Sequence, residues 1–277
     1  MKTILITGCS SGIGLCVAEG LQRRGYRVFA TARQTEDVRR LQEKGFSACR
    51  LDLDDSASIR QAVDWILEQT GGRLDALFNN GAYGQPGALE DLDRNALRAQ
   101  FETNLFGVHE LTSLILPVMQ RQGYGRVIMN SSVLGFVALP YRGAYVASKF
   151  ALEGWTETLR LEWRHTGIFF SLVQPGPIRT RFRHNAALAF ERHVDPTISR
   201  HRERYQVMAD HFQRQAQQGG GRFSLPAEAI LAPVIHALES SRPKVCYRVT
   251  LPTHLFAWLR RLLPRRFLDA LLVRAWL

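Results

Sequence analysis

The fold is decided by the stretch Thr7-Gly8-Cys9-Ser10-Ser11-Gly12-Ile13-Gly14. A short β-branched run, residues 3–7, leads into this stretch, and Val17, Ala18 and Leu21 follow it at helical spacing. A strand, a glycine-rich turn and an amphipathic helix in this order are typical of the first unit of an α/β sheet that binds a dinucleotide.

Each glycine of this turn has a physical use. Gly8 permits the tight turn, Gly12 lets the backbone approach a pyrophosphate, and Gly14 allows the helix to pack on the strand. Ser10 and Ser11 lie where the free N–H groups and partial positive charge of a helix N-terminus favour phosphate. A turn with a purely structural role is the alternative, and its position between strand and helix favours the dinucleotide site.

Apolar, β-branched runs alternate with longer helix-like stretches along most of the chain. The strand candidates are residues 3–7, 28–31, 76–78, 127–129 and 168–173, with a weaker one at 49–53. This alternation predicts parallel strands joined by crossover helices, one of them over 57–68. The expected fold class is therefore α/β, a doubly wound Rossmann sheet in a three-layer αβα arrangement.

Two regions interrupt the alternation. Residues 182–224 are polar, rich in Arg, His and Gln, and end in a Gln-Gln-Gly-Gly-Gly run at 217–221 that is flexible by composition. A helix is predicted over 226–239 and a short strand near 245–249. No repeat or linker divides the chain, so residues 1–277 are expected to form a single domain, with 182–224 as a substrate loop or lid and 252–277 as a helical extension.

Composition argues against several classes of protein. The four cysteines include no Cys-x-x-Cys pair, so neither a disulfide framework nor a zinc site is expected. The N-terminus reaches glycine too early for a signal peptide, and a cytoplasmic protein is expected. The formal charge is +11, of which residues 181–222 and 254–277 each carry a net +4. Because no aromatic-basic interleaving accompanies this charge, nucleic-acid binding is not expected.

The end of the second predicted strand bears on which dinucleotide binds. It reads Arg27-Val28-Phe29-Ala30-Thr31-Ala32-Arg33. An NAD-binding protein usually has a carboxylate here for the ribose 2′-hydroxyl, whereas an arginine accommodates a 2′-phosphate. With no acid in the turn and Arg33 directly after the strand, the sequence favours NADP(H) over NAD(H); a solvated surface charge is the alternative role of Arg33.

Tyr145 and Lys149 are the central candidates for chemistry. They stand four apart in a stretch with helical periodicity and so share one helix face. A phenol has a pKa of about 10, and a neighbouring ammonium is expected to lower the pKa of Tyr145. Such a tyrosine can give a proton to a developing alkoxide or accept one from an alcohol. Chance alone often supplies Tyr-x-x-x-Lys, so the surroundings decide its meaning.

Polar residues upstream support the same chemistry. Ser132 follows the strand candidate 126–131, thirteen residues before Tyr145, where its hydroxyl could bond the substrate oxygen. Asn104 interrupts a helical stretch, which indicates either that its side chain is exposed to solvent or that it has a functional role. Asn79-Asn80-Gly81-Ala82 ends another strand, at the carboxyl edge where doubly wound sheets bind ligands.

Together these motifs resemble the classical short-chain dehydrogenase/reductase family, in order from Thr7 to Thr180 and over about two thirds of the chain. The resemblance implies a catalytic tetrad of Asn104, Ser132, Tyr145 and Lys149. The cofactor-binding residues that it implies, together with the sequence arguments above, are Gly8, Ser10, Ser11, Gly12, Ile13, Gly14, Arg33, Asp52, Leu53, Asn80, Tyr145, Lys149, Pro175, Gly176, Ile178 and Thr180.

The same resemblance implies individual roles. Lys149 also bonds the nicotinamide ribose, Asn104 holds a water of the proton relay, and Asp52 matches the adenine-binding aspartate. Pro175-Gly176 and Thr180 match the segment beside the nicotinamide carboxamide. In residues 79–82 the family's Asn-Asn-Ala-Gly element has its last two residues exchanged, and the turn is expected to survive.

Within the family, the glycine turn combined with Ala-Thr-Ala-Arg at 30–33 is similar to NADP-using hydroxysteroid, retinol and aldehyde reductase-like branches. This implies hydride transfer between NADP(H) and a hydrophobic carbonyl or alcohol, with Tyr145 as general acid/base. An NAD-dependent hydroxysteroid dehydrogenase and a non-catalytic dinucleotide-sensing protein are the alternatives. A sensor has no need of the four tetrad side chains.

The region after Thr180 holds further candidates. The histidines at 184, 193, 201 and 211 have spacings that fit no common metal motif, so no metal site is expected. Four aromatic residues could line the substrate pocket as a lid, with a poorly ordered polar loop as the alternative: Phe182, Phe190, Tyr205 and Phe212.

The C-terminal segment has an amphipathic pattern. Leucines at 255, 259, 262 and 263 share one helical face, with Arg260 and Arg261 on the other. Such a helix can contact a membrane surface peripherally, or cover the substrate pocket or a subunit interface, and the second role is favoured. A homodimer or homotetramer is expected.

Overall fold

The computed structural model describes the backbone of residues 1–217, 221 and 223–276, without the side chains of 211–217, 275 and 276. Its strands are β1 (Thr3–Ile6), β2 (Arg27–Ala32), β3 (Ser47–Arg50), β4 (Ala76–Asn79), β5 (Gly125–Asn130), β6 (Ile168–Gln174) and β7 (Cys246–Arg248). They form one parallel sheet in the order β3-β2-β1-β4-β5-β6-β7.

Helices connect the strands and extend the chain beyond the last one. They are α1 (Gly12–Arg23), α2 (Thr35–Glu43), α3 (Ser56–Thr70), α4 (Arg94–Phe101), α5 (Gly107–Gln122), α6 (Gly143–Glu162), α7 (Phe182–His193), α8 (Arg202–Gln217), α9 (Leu231–Glu239), α10 (Leu251–Leu262) and α11 (Arg265–Trp276). A π-helical turn, Glu102–Phe106, joins α4 to α5.

The sheet is buried on both faces. Ile4 and Ile6 of β1 pack on one face in a cluster with residues of α1 and α9, while Leu5 packs on the other with residues of α3 and α5. Successive strand residues point to opposite faces, so a continuous apolar run in a strand supplies both layers. The three-layer αβα fold predicted from the sequence is confirmed.

The strand order reverses at β1. The chain moves outward from β1 to β2 and β3, and then crosses to β4 on the other side of β1. In a parallel sheet this reversal opens a crevice at the carboxyl ends of the two central strands. The crevice therefore lies between the glycine turn after β1 and the Asn-Asn-Gly-Ala turn after β4.

The structure changes several predicted boundaries. The weak strand candidate at 49–53 is β3 at Ser47–Arg50, so Asp52 lies in the following turn. The predicted helix at 226–239 begins as a 3₁₀ turn, Ala227–Ile230, before α9. Residues 182–217 form α7 and α8 rather than an irregular loop, and most of the 217–221 run falls outside the described residues.

Candidate functional site

The turn after β1 closes tightly on itself. Gly8 has φ +70°, a left-handed conformation that favours glycine. A Cβ at Gly14 would stand 2.3 Å from the carbonyl oxygen of Gly8, too close for any other residue. The backbone is therefore shaped at these two positions into a cradle that side chains would fill, which is the form a pyrophosphate site needs.

Thr7 ties this turn to the turn after β4. Its buried hydroxyl oxygen accepts the backbone N–H groups of Asn80 at 2.9 Å and Gly81 at 2.8 Å. The side-chain Nδ2 of Asn80 donates to the backbone carbonyl oxygens of Thr7 and Gly8, at 2.9 Å and 3.2 Å. The exchanged Gly81-Ala82 order is thus compatible with a hydrogen-bonded turn.

The N-terminus of α1 faces the same crevice. Ser11 is its N-cap residue, and the Ser11 side chain makes no capping hydrogen bond, so it leaves the first-turn N–H groups to other partners. Thr180 packs over the turn, because a Cβ at Gly12 would lie 3.0 Å from the Thr180 Cβ. Backbone donors, a helix dipole and an overlying threonine fit a dinucleotide phosphate.

Three predicted cofactor residues lie at the ends of β2 and β3. Arg33 is exposed directly after β2. Asp52 is half-buried, and its carboxylate accepts the backbone N–H of Asp54 at 3.2 Å. Leu53 is buried and would contact a Cβ at Gly81 at 3.2 Å, so it packs under the turn after β4.

Ser132, Tyr145 and Lys149 line one cavity of about 320 Å³ with much of the glycine turn and the segment after β6. Ser132 follows β5, while Tyr145 and Lys149 lie one turn apart on the buried face of α6. The Ser132 hydroxyl oxygen accepts the Leu134 N–H at 3.1 Å, and its interaction with the Tyr145 phenol favours a lower pKa of that phenol. The predicted cofactor residues that line this cavity are Ser11, Gly12, Ile13, Asn80, Tyr145, Lys149, Pro175, Gly176, Ile178 and Thr180.

The expected lowering of the Tyr145 pKa is wrong for this structure. Burial raises the pKa of Tyr145 to about 12, against smaller lowering effects of the Ser132 hydrogen bond and the charge of Arg142. The Lys149 ammonium is directed to the Asn130 carbonyl oxygen at 2.7 Å and lies 5.8 Å from the centre of the Tyr145 ring. Helical spacing correctly predicted that Lys149 lies next to Tyr145, but it did not predict how deeply the Tyr145 side chain is buried.

Burial also acts on Lys149. It lowers the pKa of this ammonium to about 8, and the charge of Glu153 opposes the shift. Glu153 lies one turn further along α6, where its carboxylate accepts hydrogen bonds from Ser131 at 2.6 Å and from Gln174. The acid thereby joins α6 to the ends of β5 and β6 beside the cavity.

Asn104 is positioned by the π-helical turn and is 1% exposed. Its amide nitrogen donates to the Tyr83 carbonyl at 2.9 Å and the Ser148 hydroxyl at 3.1 Å, and its amide oxygen accepts the Tyr83 N–H at 3.1 Å. Asn104 is not among the cavity-lining residues. These contacts give it a positioning role behind Tyr145, since Ser148 in turn donates to the Tyr145 carbonyl oxygen at 2.8 Å.

Most of the region predicted as a lid is helical, and only part of it reaches the cavity. Phe182 lines the cavity, and its ring packs 5.4 Å from that of Tyr145. Phe190 and Tyr205 instead pack on each other between α7 and α8, with ring centres 4.9 Å apart. The side chain of Phe212 lies outside the described residues.

Histidines of this region bond locally. His201 contacts the Tyr141 hydroxyl at 3.2 Å and the Glu90 carboxylate at 2.9 Å. In the described part of the chain, no group of three or more potential ligands could hold a metal ion. The side chain of the residue at 211 is not described.

Sequence reasoning missed several charged residues of the site, and two of them lie on or next to α6. Arg142 lines the cavity, and its position three residues before Tyr145 places it at the start of the same helix. Glu153, four residues after Lys149, continues the face that Tyr145 and Lys149 share. In both cases the i±3 or i±4 spacing from Tyr145 or Lys149 was a legible signal.

Known proteins resemble the chain over nearly its full length. A family model described as short chain dehydrogenase matches residues 2–189. An uncharacterized oxidoreductase of Escherichia coli, YbbO, is 43% identical over 98% of this chain and 94% of its own. A short-chain dehydrogenase/reductase of Burkholderia phymatum in complex with NAD matches with a TM-score of 0.77, at 26% identity over 94% and 92% of the two chains. An actinorhodin polyketide ketoreductase with NADPH matches with 0.72, at 28% identity over 90% and 95%.

Proposed function

Because the chain belongs to the classical short-chain dehydrogenase/reductase family, we propose that it reduces a hydrophobic carbonyl compound with NADPH. The observation that carries this proposal is the single cavity in which Ser132, Tyr145 and Lys149 lie beside the glycine turn. Val133, Leu134, Leu139, Phe182 and Ala186 supply apolar side chains to the lining of the same cavity. They would shield the body of the substrate from water.

In this proposal, side chains of the protein transfer the proton to the substrate. A bound NADPH would supply the hydride that reduces the substrate carbon. The Tyr145 phenol donates its proton to the substrate oxygen, and the Ser132 hydroxyl, which lines the same cavity, holds that oxygen in place. Since the Tyr145 pKa of about 12 keeps the phenol protonated at neutral pH, the phenol is in the state that can donate a proton to the substrate oxygen.

Replacing Tyr145 tests the function. Tyr145→Phe removes the proton donor while keeping the ring that packs on Phe182, so turnover should fall at least about 100-fold with cofactor affinity nearly unchanged. Turnover is followed by NADPH absorbance against aliphatic aldehydes, retinoids and keto-steroids, and affinity by NADPH fluorescence. Tyr124→Phe, outside the cavity, is the matched control and should behave as wild type.

The outcomes separate the candidate functions. Full activity in Tyr145→Phe would overturn the assignment of the proton donor. Tight cofactor binding by the wild-type protein, with no turnover of any compound in the panel, would favour the dinucleotide-sensing alternative.

The preference for NADPH is a further part of the proposal. Arg33 follows β2 directly, no acid ends that strand, and Cys9 of the glycine turn donates its N–H to the Thr31 carbonyl at 2.8 Å, which keeps β2 beside the turn. NADPH should therefore bind about tenfold or more tightly than NADH. Fluorescence titration should show that Arg33→Ala removes the difference and that Arg39→Ala, on the exposed face of α2, keeps it. Equal affinities of the wild-type protein for NADPH and NADH would contradict the proposed role of Arg33 and favour the NAD-dependent alternative.

We also propose a surface role for the C-terminal helices, with a homodimer or homotetramer as the assembly. The inner side of these helices packs near Tyr145, since Leu268 and Leu272 are buried in one cluster with it. The outer side of α10 exposes Leu251, Leu255, Trp258 and Leu262. Among the described residues no helix is long and apolar enough to cross a membrane. We propose peripheral contact with an anionic membrane.

A further inference from the structure

The cavity around Tyr145 is strongly positive. Three arginines line it in addition to Lys149, and no Asp or Glu is among its lining residues in the described part of the chain. The arginines are Arg142, Arg181 and Arg183. Phosphates of a dinucleotide account for positive charge near the glycine turn, but not for charge on the elements that carry the proton donor and the lid.

Arg181 is assigned to the dinucleotide side. It follows Thr180 directly, and Thr180 packs over Gly12 of the phosphate turn. A guanidinium at this position suits a phosphate oxygen.

Arg142 and Arg183 belong to the substrate side. Arg142 is the N-cap residue of α6, three residues before Tyr145. Arg183 is the second residue of α7 and adjoins Phe182, whose ring lies 5.4 Å from the Tyr145 ring. Two guanidinium groups thus approach the phenol from two different elements.

Both arginines line the same cavity, and burial lowers the pKa of each. Burial, and then the charge of Arg183, lower the pKa of Arg142 to about 10. Like charges in a partly buried cavity repel each other, which costs free energy that an anionic ligand would offset. An arginine fork matches the geometry of a carboxylate and can form two parallel N–H···O bonds with it.

We propose that the substrate carbonyl compound is amphipathic and carries a carboxylate that Arg142 and Arg183 bind. Its apolar chain would lie against Val133, Leu134 and Leu139, which line the same cavity. This inference rests on the proposed carbonyl reduction and narrows its substrate class from hydrophobic carbonyl compounds to oxo acids.

A matched pair of aldehydes, one with a carboxylate and one without, tests whether the carboxylate increases turnover. Wild-type protein with NADPH should reduce 8-oxooctanoate with a kcat/KM about tenfold or more above that for its methyl ester, since a charge-assisted pair is lost in the ester. Arg142→Gln and Arg183→Gln should each bring the ratio of the two values toward one. Arg164→Gln, at an exposed position after α6, should keep the wild-type ratio. An ester reduced as well as the acid, or a preference that survives both substitutions, would overturn the inference while leaving carbonyl reduction intact.

A binding measurement separates the anion site from catalysis. With NADP⁺ present, calorimetry should show octanoate binding about tenfold or more tightly than 1-octanol in the wild-type protein and not in Arg183→Gln. If the protein reduced neither aldehyde, the proposed reaction would fail for this class, and preferential octanoate binding would still uphold the anion site. Equal binding of the two compounds would overturn it. Circular dichroism melting shows that each variant is folded.

Discussion

At the residue scale, the buried ammonium of Lys149 costs the folded protein stability. Its pKa falls from 10.5 to about 8 on burial. Between these values the unfolded chain binds more protons at this position, so stability from this group rises with pH and is lowest below pH 8. The residue therefore acts against folding at neutral pH, as expected of a group kept for chemistry.

A methionine at this position tests that cost. Relative to wild type, Lys149→Met should be most favourable near pH 7, and its advantage should shrink by about 2 kcal/mol towards pH 9.5. Loss of the hydrogen bond to Asn130 adds a cost that does not depend on pH. Urea unfolding at several pH values gives the difference, with Lys44→Met at the protein surface as control. A difference between Lys149→Met and wild type that does not change with pH would contradict the lowered pKa.

The residue types of the site were readable from the sequence, whereas their electrostatics were not. Spacing in α6 predicted that Tyr145 and Lys149 share a face, and the structure places them so. The direction of the Tyr145 pKa shift depends on burial and on where the Lys149 ammonium points, which are set by the Asn130 carbonyl on another element. A sequence pattern contains neither quantity.

At the scale of elements, the π-helical turn before α5 was also only partly predictable from the sequence. The interruption at Asn104 was visible as a polar residue in a helical stretch, and the structure turns it into a widened helical turn that aims the side chain inward. The Asn104 amide fixes the Tyr83 backbone through both its N–H and C=O groups. The predicted water-holding role stays a prediction, and the observed contacts assign Asn104 to positioning.

The strands of the sheet were easier to predict from the sequence than helices α7 and α8. Each apolar run of the sheet is buried on both faces, so composition alone marks it. In α7 and α8 the buried residues are few, among them Ala186, Tyr205 and Met208. A helix that buries so little has a weak periodic signal, which is why its sequence is equally typical of a polar loop.

For α10, periodicity revealed amphipathicity but not which apolar face packs inward. The helix has two apolar faces. Leu259 packs against the cluster that contains Tyr145, whereas Leu255 and Leu262 are exposed with 52% and 60% of their surfaces accessible. The predicted leucine face is therefore divided in the structure, because the core takes one row and leaves the other to solvent.

At the scale of the whole molecule, this exposed row lies on helices whose buried residues share a cluster with Tyr145, so a lipid surface there would meet the protein near its proposed substrate site. Trp258 and Phe267 are 68% and 66% exposed. Four arginines flank them, at 260, 261, 265 and 266. Each arginine near an anionic surface contributes about 1 kcal/mol to binding, and insertion of the exposed aromatic rings adds to it.

Co-sedimentation with vesicles measures this contact. The protein should pellet with phosphatidylglycerol-containing vesicles, less with pure phosphatidylcholine, and less again at high salt, because the arginine contribution is screened. The double variant Trp258→Ser, Phe267→Ser should stay in the supernatant. Leu161→Ser, which changes an exposed leucine on α6, should pellet as wild type does. If the double variant instead pelleted unchanged and its sedimentation velocity showed a dissociated oligomer, the exposed row would be a subunit interface and the membrane proposal would fail.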